Sequence, residues 1–236
     1  MGNEKPSPAP ERPPMVWDLP LRLFHWALAI AVTVCLYTGI NGGFYEMDWH
    51  MISGYVVLGL LLFRIAWGIV GPRHARFSAL IHGPGAIWRW LRPALRREPP
   101  VVAGHNPLAG WFIIITLFAL LLQAGTGLFA TDDIFVDGPL RHLAPAGFFG
   151  MEQREFLRLA TRLHRQGEDI ILVLVGLHLF AILAHRIYLR EPLVSAMITG
   201  RRKGAPGDAA ISSQRILLGL VLAAAAAGLT WYIINL

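Results

Sequence analysis

The sequence predicts an all-α integral membrane protein: a four-helix transmembrane bundle followed by a fifth, C-terminal transmembrane helix. Three observations carry this. First, 55% of the 236 residues are hydrophobic and 15% are charged, against roughly 25% charged in an ordinary soluble domain. A soluble core of this size cannot hide so much apolar surface. Second, the apolar residues gather into five runs, each near the ~20 residues that span a bilayer. Third, arginines crowd alternate connections between those runs, as orientation in a membrane requires. Within lipid the backbone must satisfy its own hydrogen bonds, so each run is a helix.

Residues 1–15, MGNEKPSPAPERPPM, are Pro-rich and polar and should be disordered. They lack the apolar core and cleavage site of a signal peptide. The runs then extend over about Leu19 to Ile40, Met51 to Val70, Leu108 to Ala130, Arg158 to Leu189 and Ile216 to Leu236. The fourth has its apolar heart only from Ile170 to Ala184, so its start should be wet. Trp17, Trp26, Trp49, Trp67, Trp111 and Trp231 fall near run ends, like interfacial anchors. Connection 71–107 carries Arg73, Arg76, Arg89, Arg92, Arg96 and Arg97, and connection 185–215 is similarly basic. Connection 41–49 holds Glu46 and Asp48 and no basic residue. Connection 131–157 holds Asp132, Asp133, Asp137, Glu152 and Glu155 against Arg141 and Arg154. The bias puts the N-terminus inside and the C-terminus outside. Residues 78–98 mix Trp88, Trp90 and Leu91 with arginines, which fits a segment on the inner interface or an unstructured basic loop. The chain thus divides into a cytoplasmic tail (1–15), a four-helix membrane domain (16–200), and a linker with the fifth helix (201–236).

The formal charge is +6. No soluble part remains to carry a nucleic-acid-binding module, so the arginines serve topology. The single cysteine, Cys35, allows no internal disulfide, no iron–sulfur cluster and no C-x-x-C-H attachment of haem. It reads as a small buried hydrophobe.

Nine histidines are many for so apolar a chain, and ionisable groups within spans tend to be functional. His164 and His178 on the fourth span lie fourteen positions apart. That spacing falls about 40° short of four turns and covers roughly 21 Å, so both imidazoles share one helix face, one near each leaflet. One metal cannot use both; two stacked cofactors can. His25 sits at the inner end of the first span and His50 at the outer end of the second. The levels therefore match in pairs, His25 with His178 and His50 with His164. Imidazole pairs from facing helices are suitable axial ligands for haem iron. Gly39 follows His25 by the same fourteen positions and faces the outer level, where a flat macrocycle needs room. Arg64 follows His50 by the same interval and faces the inner level, placed to pair a haem propionate. Gly110 and Gly125 on the third span are expected to relieve crowding at the inner and outer levels.

Taken singly, each residue has a plainer reading. His25 and His50 adjoin Trp26 and Trp49 at span ends, where an interfacial histidine is ordinary. His164 lies in a charged turn with Arg162, Arg165, Glu168 and Asp169. Helix glycines commonly serve packing, and an arginine near a helix end commonly snorkels. A face-matched pair with two level-matched partners outweighs these readings. His74, His82, His105, His142 and His185 lack such partners and read as loop or interface residues, with His74 or His105 an alternative quinone contact.

The chain resembles the bacterial di-haem cytochrome b proteins related to the b-type cytochrome subunit of nickel–iron hydrogenases. VWDLPLRLFHW (16–26), FRIAWGIVGPRHARF (63–77), GHNPLAGW (104–111), TGLFA (126–130) and the two LH pairs at His164 and His178 carry the likeness. It covers about Val16 to Gly200. The resemblance implies that spans one, two and four supply four haem ligands, which fall on His25, His50, His164 and His178. It also implies a quinone site in the membrane and a redox partner at one surface. The fifth span lies outside the matched region and is left to packing or docking.

The expected function is transmembrane electron transfer through two non-covalent haems b in the bacterial inner membrane. Electrons would pass between the quinone or quinol pool and a periplasmic partner, a c-type cytochrome or a dehydrogenase or hydrogenase subunit. The wet start of the fourth span puts the outer haem within such a partner's reach. One alternative is a superoxide oxidase that passes electrons to quinone. Arg141, Arg158, Arg162 and Arg165 would attract the anion, against Glu152, Glu155, Glu168 and Asp169. The other is a haem-free membrane anchor or transporter, which would be colourless.

Overall fold

The computed structural model describes residues 13–102, 104–131, 136–147, 150–202 and 212–236. Among them the chain is helical, with two isolated β-bridges and no longer strand. Five helices are long and apolar enough to cross a membrane. They are α1 (Leu19–Asn41), α2 (Phe44–Val70), α4 (Pro107–Gly127), α5 (Gln153–Ala184) and α7 (Ser213–Ile234). Two shorter helices, α3 (Pro84–Leu95) and α6 (Leu193–Thr199), lie in the two basic connections.

The starts are set by side chains that take up otherwise orphaned backbone donors. Asp18 caps α1 by accepting from Leu21 N–H (2.8 Å), and Asn106 caps α4 by accepting from Ala109 N–H (2.8 Å). Each cap is followed by a proline in the first turn, where the missing N–H costs nothing. Glu152 and Glu155 form a capping box at the start of α5. The turn between α1 and α2 is made by Gly42 (φ 63°) and Gly43 (φ 112°), values that disfavour any residue with a Cβ. It is much tighter than the expected 41–49 connection. Helix α2 therefore begins at Phe44 rather than Met51, with Glu46 in its first turn beside the positive end of the helix dipole. His50 consequently stands on the helix, not at its edge.

α1 packs on α2, α2 on both α4 and α7, and α4 along α5. Among the described residues α5 makes no comparable backbone contact with α1 or α2, which leaves a slot between them. At mid-height the slot is closed by side chains alone: Ala31 and Val32 of α1, Val57 and Leu61 of α2, Leu120 of α4, Ile171 and Leu174 of α5. α7 packs on the α1–α2 pair. A Cβ on Gly59 would stand 3.1 Å from the Thr230 hydroxyl, and one on Gly219 would stand 3.2 Å from Pro20 and 3.5 Å from Trp67. The fifth helix is a packing element in this fold.

Two of the expected interfacial tryptophans belong to the core. Trp67 is fully buried, stacks on Phe63 and donates to Asp18 Oδ1 (3.2 Å); Trp17 is also buried. Segments close to the two termini of the membrane domain fold over that end of the bundle and cover them. Gly200 carbonyl accepts from Val16 N–H (2.7 Å) and Trp17 N–H (3.1 Å), Arg202 N–H donates to Pro14 (3.2 Å), and Met15 bridges Arg201. Residues 13–15 are thus tied down. The rest of the expected disordered tail, 1–12, lies outside the described residues, as do most of the 201–211 linker and the acidic Asp132 and Asp133.

Candidate functional site

Two imidazole pairs face each other across the slot. At the amino-terminal end of the bundle His25 of α1 faces His178 of α5, with ring centroids 6.1 Å apart. At the opposite end His50 of α2 faces His164 of α5 at 5.9 Å. The first is the near site and the second the far site. A metal bound at about 2 Å by one imidazole nitrogen lies about 3 Å from the ring centre. Two imidazoles on one iron therefore have centroids about 6 Å apart, the separation found at both levels. Among the described residues no three His, Cys, Asp or Glu side chains converge. A metal held here would take its remaining ligands from a macrocycle, and a flat one fits the slot.

The far pair is oriented for that task. His50 Nδ1 donates to the Cys35 carbonyl (3.0 Å) and His164 Nδ1 donates to the Gln123 carbonyl (2.9 Å). Both bonds leave Nε2 as the free lone pair, the usual way a second shell fixes a metal-binding tautomer. The Gln123 amide also donates to the His164 carbonyl (2.9 Å), tying α4 to α5 at this level. A Cβ on Gly39 would lie 3.2 Å from His50 Cε1, and one on Gly127 would lie 2.7 Å from His164 Cε1. Backbone from α1 and α4 thus comes close to the two rings. The space between them is a cavity of about 550 Å³, lined among others by Gly39, His50, Gly127, His164, Arg165 and Glu168.

The near site is flanked by aromatic rings. Phe112 of α4 stacks on His178, with centroids 6.2 Å apart and planes 5° from parallel, and Trp26 meets His25 edge-on. His25 Nδ1 is buried with no hydrogen-bond partner. Arg64 is 3% exposed, lies under Phe77 (4.7 Å), and keeps its Nη1 buried and unpartnered. An unpaired guanidinium nitrogen in a dry site suits a carboxylate such as a haem propionate. His105 lies behind this site, with its imidazole packed 4.3 Å from the Trp17 ring. Desolvation, reinforced by the charges of Arg64, His74 and Arg202, holds that imidazole down at about 3.

The two glycines expected on the third span sit elsewhere. A Cβ on Gly110 would run into the Leu80 carbonyl (2.2 Å), so Gly110 makes room for the 77–82 loop; Gly125 has nothing within 4 Å. The reason is the phase of α4. Phe112, Gln123 and Gly127 fall within about 60° of one another on the helix, whereas Gly110 and Gly125 lie roughly on the opposite side. Gly127, Gln123 and the Cys35 carbonyl were not singled out by sequence reasoning, since backbone acceptors carry no residue signature. His185 stacks on Trp90 (6.2 Å), His82 turns back on the Leu80 carbonyl (3.0 Å), and His142 reaches the Leu236 carbonyl (3.2 Å).

Comparison with known proteins points the same way. The family described as prokaryotic cytochrome b561 matches residues 16–200. The chain is 30% identical over 224 residues to a probable Ni/Fe-hydrogenase B-type cytochrome subunit of Rhodobacter capsulatus, covering 79% of this chain and 80% of that protein. It is 28% identical over 216 residues to the corresponding protein of Rhizobium leguminosarum bv. viciae, covering 79% and 87%. With the probable Ni/Fe-hydrogenase 1 B-type cytochrome subunit of Escherichia coli (strain K12) it shares 24% over 221 residues, covering 79% and 89%. No solved structure matches.

Proposed function

Because the chain belongs to the prokaryotic cytochrome b561 family, a family of multi-pass b-type electron-transfer cytochromes, we propose that it holds two haems b, one at each histidine pair. We further propose that it carries electrons between the membrane quinone pool and a periplasmic partner. The observation that carries the reading is the repeated pairing of imidazoles, 6.1 Å at the near site and 5.9 Å at the far one. His25 and His178 hold the near iron, and His50 and His164 the far one. When bound, haem b supplies one-electron chemistry through its iron, tuned by its axial ligands and by the dryness of its pocket. Arg64, whose Nη1 is buried without a partner, would pair a haem propionate at the near site, and Gly39 would leave room for the macrocycle at the far one. Ala31, Val32, Val57, Leu61, Ile171 and Leu174 exclude water between the two levels.

The arginine-rich connections support an orientation with the amino terminus and the near site on the cytoplasmic side of a bacterial inner membrane and the C-terminus periplasmic. The far site then meets the periplasm beside the polar start of α5, within reach of a soluble or peripheral partner. The names of the relatives favour a hydrogenase subunit there; a c-type cytochrome is the alternative.

A pyridine haemochrome assay on purified protein, followed by anaerobic addition of quinol, tests the reading. Two haems b per chain, both reduced by quinol, are expected. No haem in folded protein would overturn the ligand assignment, one would overturn the pairing, and two that quinol leaves oxidised would overturn the quinone link.

A further inference from the structure

Helix α3 has no part in either histidine site, and its placement is unusual. Its 12 residues, about 18 Å long, are too few to cross a bilayer. The entry to the helix is fixed on the start of α4, where the Leu80 carbonyl packs on Gly110 and the Trp111 indole donates to the His82 carbonyl (2.8 Å). Its exit is fixed on the π-helical end of α5, His185–Leu189. There the Tyr188 hydroxyl donates to the Leu95 carbonyl (2.6 Å) and Trp90 stacks on His185. The first turn of α4 and the last turn of α5 stand at one membrane boundary, so α3 is held flat at that boundary.

The helix is divided into three faces. Trp90 and Ala94 are buried against the bundle. Trp88 (53% exposed) and Leu95 (63% exposed) lie within about 20° of each other and form an exposed apolar face, with the Arg92 guanidinium over the Trp88 ring at its edge (5.2 Å). Arg89, Arg92 and Arg96 are exposed and fall within about 60° of one another, directly beside that apolar face. The row continues off the helix. Arg97, in the left-handed region at φ 64°, lies over the Tyr188 ring (4.6 Å), and Arg186 and Arg190 project from the end of α5. Among the described residues none of these six arginines has a carboxylate within ion-pair distance; the neighbouring Glu191 is taken by Arg202 (2.8 Å).

We propose that this shelf is a binding site for anionic phospholipid, with the acyl chains against Trp88 and Leu95 and the phosphodiester among Arg92, Arg96 and Arg97. Exposed apolar side chains immediately below a row of cations without carboxylate partners match an amphiphile with an anionic head. They do not match a water-soluble anion, which has no use for the apolar face. Guanidinium forks suit phosphate oxygens, and basic pockets at helix ends on the cytoplasmic side are a recurrent way of holding such lipids. Assignment to the inner leaflet rests on the orientation proposed above; the headgroup preference does not.

Native mass spectrometry of the haem-loaded full chain tests the site, with equal phosphatidylglycerol and phosphatidylcholine supplied in detergent. No leaflet exists in that experiment, so a wrong orientation cannot mask or mimic the result, and haem absorbance reports the histidine sites separately. An arginine near an anionic surface contributes about a fivefold preference, so the first retained lipid should be phosphatidylglycerol by at least that factor. The triple variant Arg92→Gln, Arg96→Gln, Arg97→Gln should retain the two lipids about equally with its haem spectrum unchanged. A control triple at the other end of the bundle, Arg154→Gln, Arg158→Gln, Arg162→Gln, should keep the preference. Equal retention by the unaltered protein overturns the proposal, leaving the shelf to an acidic protein surface. A preference that survives the α3 triple overturns it too.

Discussion

Replacing Gly127 by alanine should loosen the far haem and leave the near one in place. The added Cβ would stand 2.7 Å from His164 Cε1 and 3.1 Å from its Nδ1, where ordinary contact begins near 3.4 Å. The ring must therefore retreat by about 0.7 Å, more than the ~0.5 Å within which a ligand constellation keeps its geometry. It cannot do so freely, because Nδ1 is held by the Gln123 carbonyl at 2.9 Å. Disturbing such an outer-shell bond typically costs 10–100-fold in metal affinity, about 1.4–2.7 kcal/mol. Haem per chain, measured by pyridine haemochrome through successive detergent washes, should fall from two towards one in Gly127→Ala. Redox titration should show that the component lost is the one lost in His164→Ala. Gly125→Ala is the matched control: its Cβ meets nothing within 4 Å, and alanine favours the helix by up to about 1 kcal/mol. Full haem retention in Gly127→Ala, or equal loss in both variants, would refute the reasoning.

Three other outcomes follow from the same geometry. His178→Ala should lose the near haem and keep the far one, and His164→Ala the reverse; equal loss of both haems in both variants, read by difference spectra, would break the pairing. His105 is held neutral down to about pH 3 in the folded protein, against 6.5 when free. The unfolded chain then binds a proton that the folded one refuses, so this contribution to stability is complete above pH 6.5 and declines as the pH falls. Between pH 7 and pH 5 the loss is about 2 kcal/mol, and thermal unfolding of His105→Leu should show a correspondingly flatter acid limb. Asp18→Ala removes the α1 cap and strands the buried Trp67 N–H, costing about 2–3 kcal/mol; Asp18→Asn, which can still cap, should cost less by the same thermal assay.

What the sequence discloses about this fold depends on whether the signal is local. The five spans are legible because lipid imposes one requirement, continuous apolar length, on each. The histidine pairs are legible because a fourteen-position interval nearly closes four turns, so a single helix advertises two stacked levels. The start of α2 is hidden because Glu46 and Asp48 look like loop acids, whereas two glycines suffice for the turn. Trp67 and Trp17 are at run ends in the sequence but in the core in space, covered by chain from residues 13–17 and 196–202. The enclosure of the His105 ring has the same distant origin. The choice between Gly125 and Gly127 is hidden for another reason. α4 is apolar on nearly every side and carries no histidine, so nothing in its sequence fixes which way it is rotated.

The helix without a paired histidine nevertheless does much of the positioning. Helix α5 leans on α4 and stands clear of α1 and α2, so α4 sets the width of the slot. It does so at both levels from one narrow face: Phe112 stacks on His178, the Gln123 carbonyl orients His164, and Gly127 lets that ring approach. Between the levels the register is equally economical. Val32, Val57 and Ile171 each stand seven positions from a histidine on their own helix, and all three are buried in the same layer. Seven positions are nearly two turns, so the phase that turns the imidazoles into the slot also turns a β-branched side chain into its middle. The apolar seal between the sites is therefore a consequence of the same spacing that creates them. A change of rotation in α1, α2 or α5 would disturb imidazoles and seal together, and a change on α4 would disturb the imidazoles' orientation while withdrawing Leu120 from the same seal.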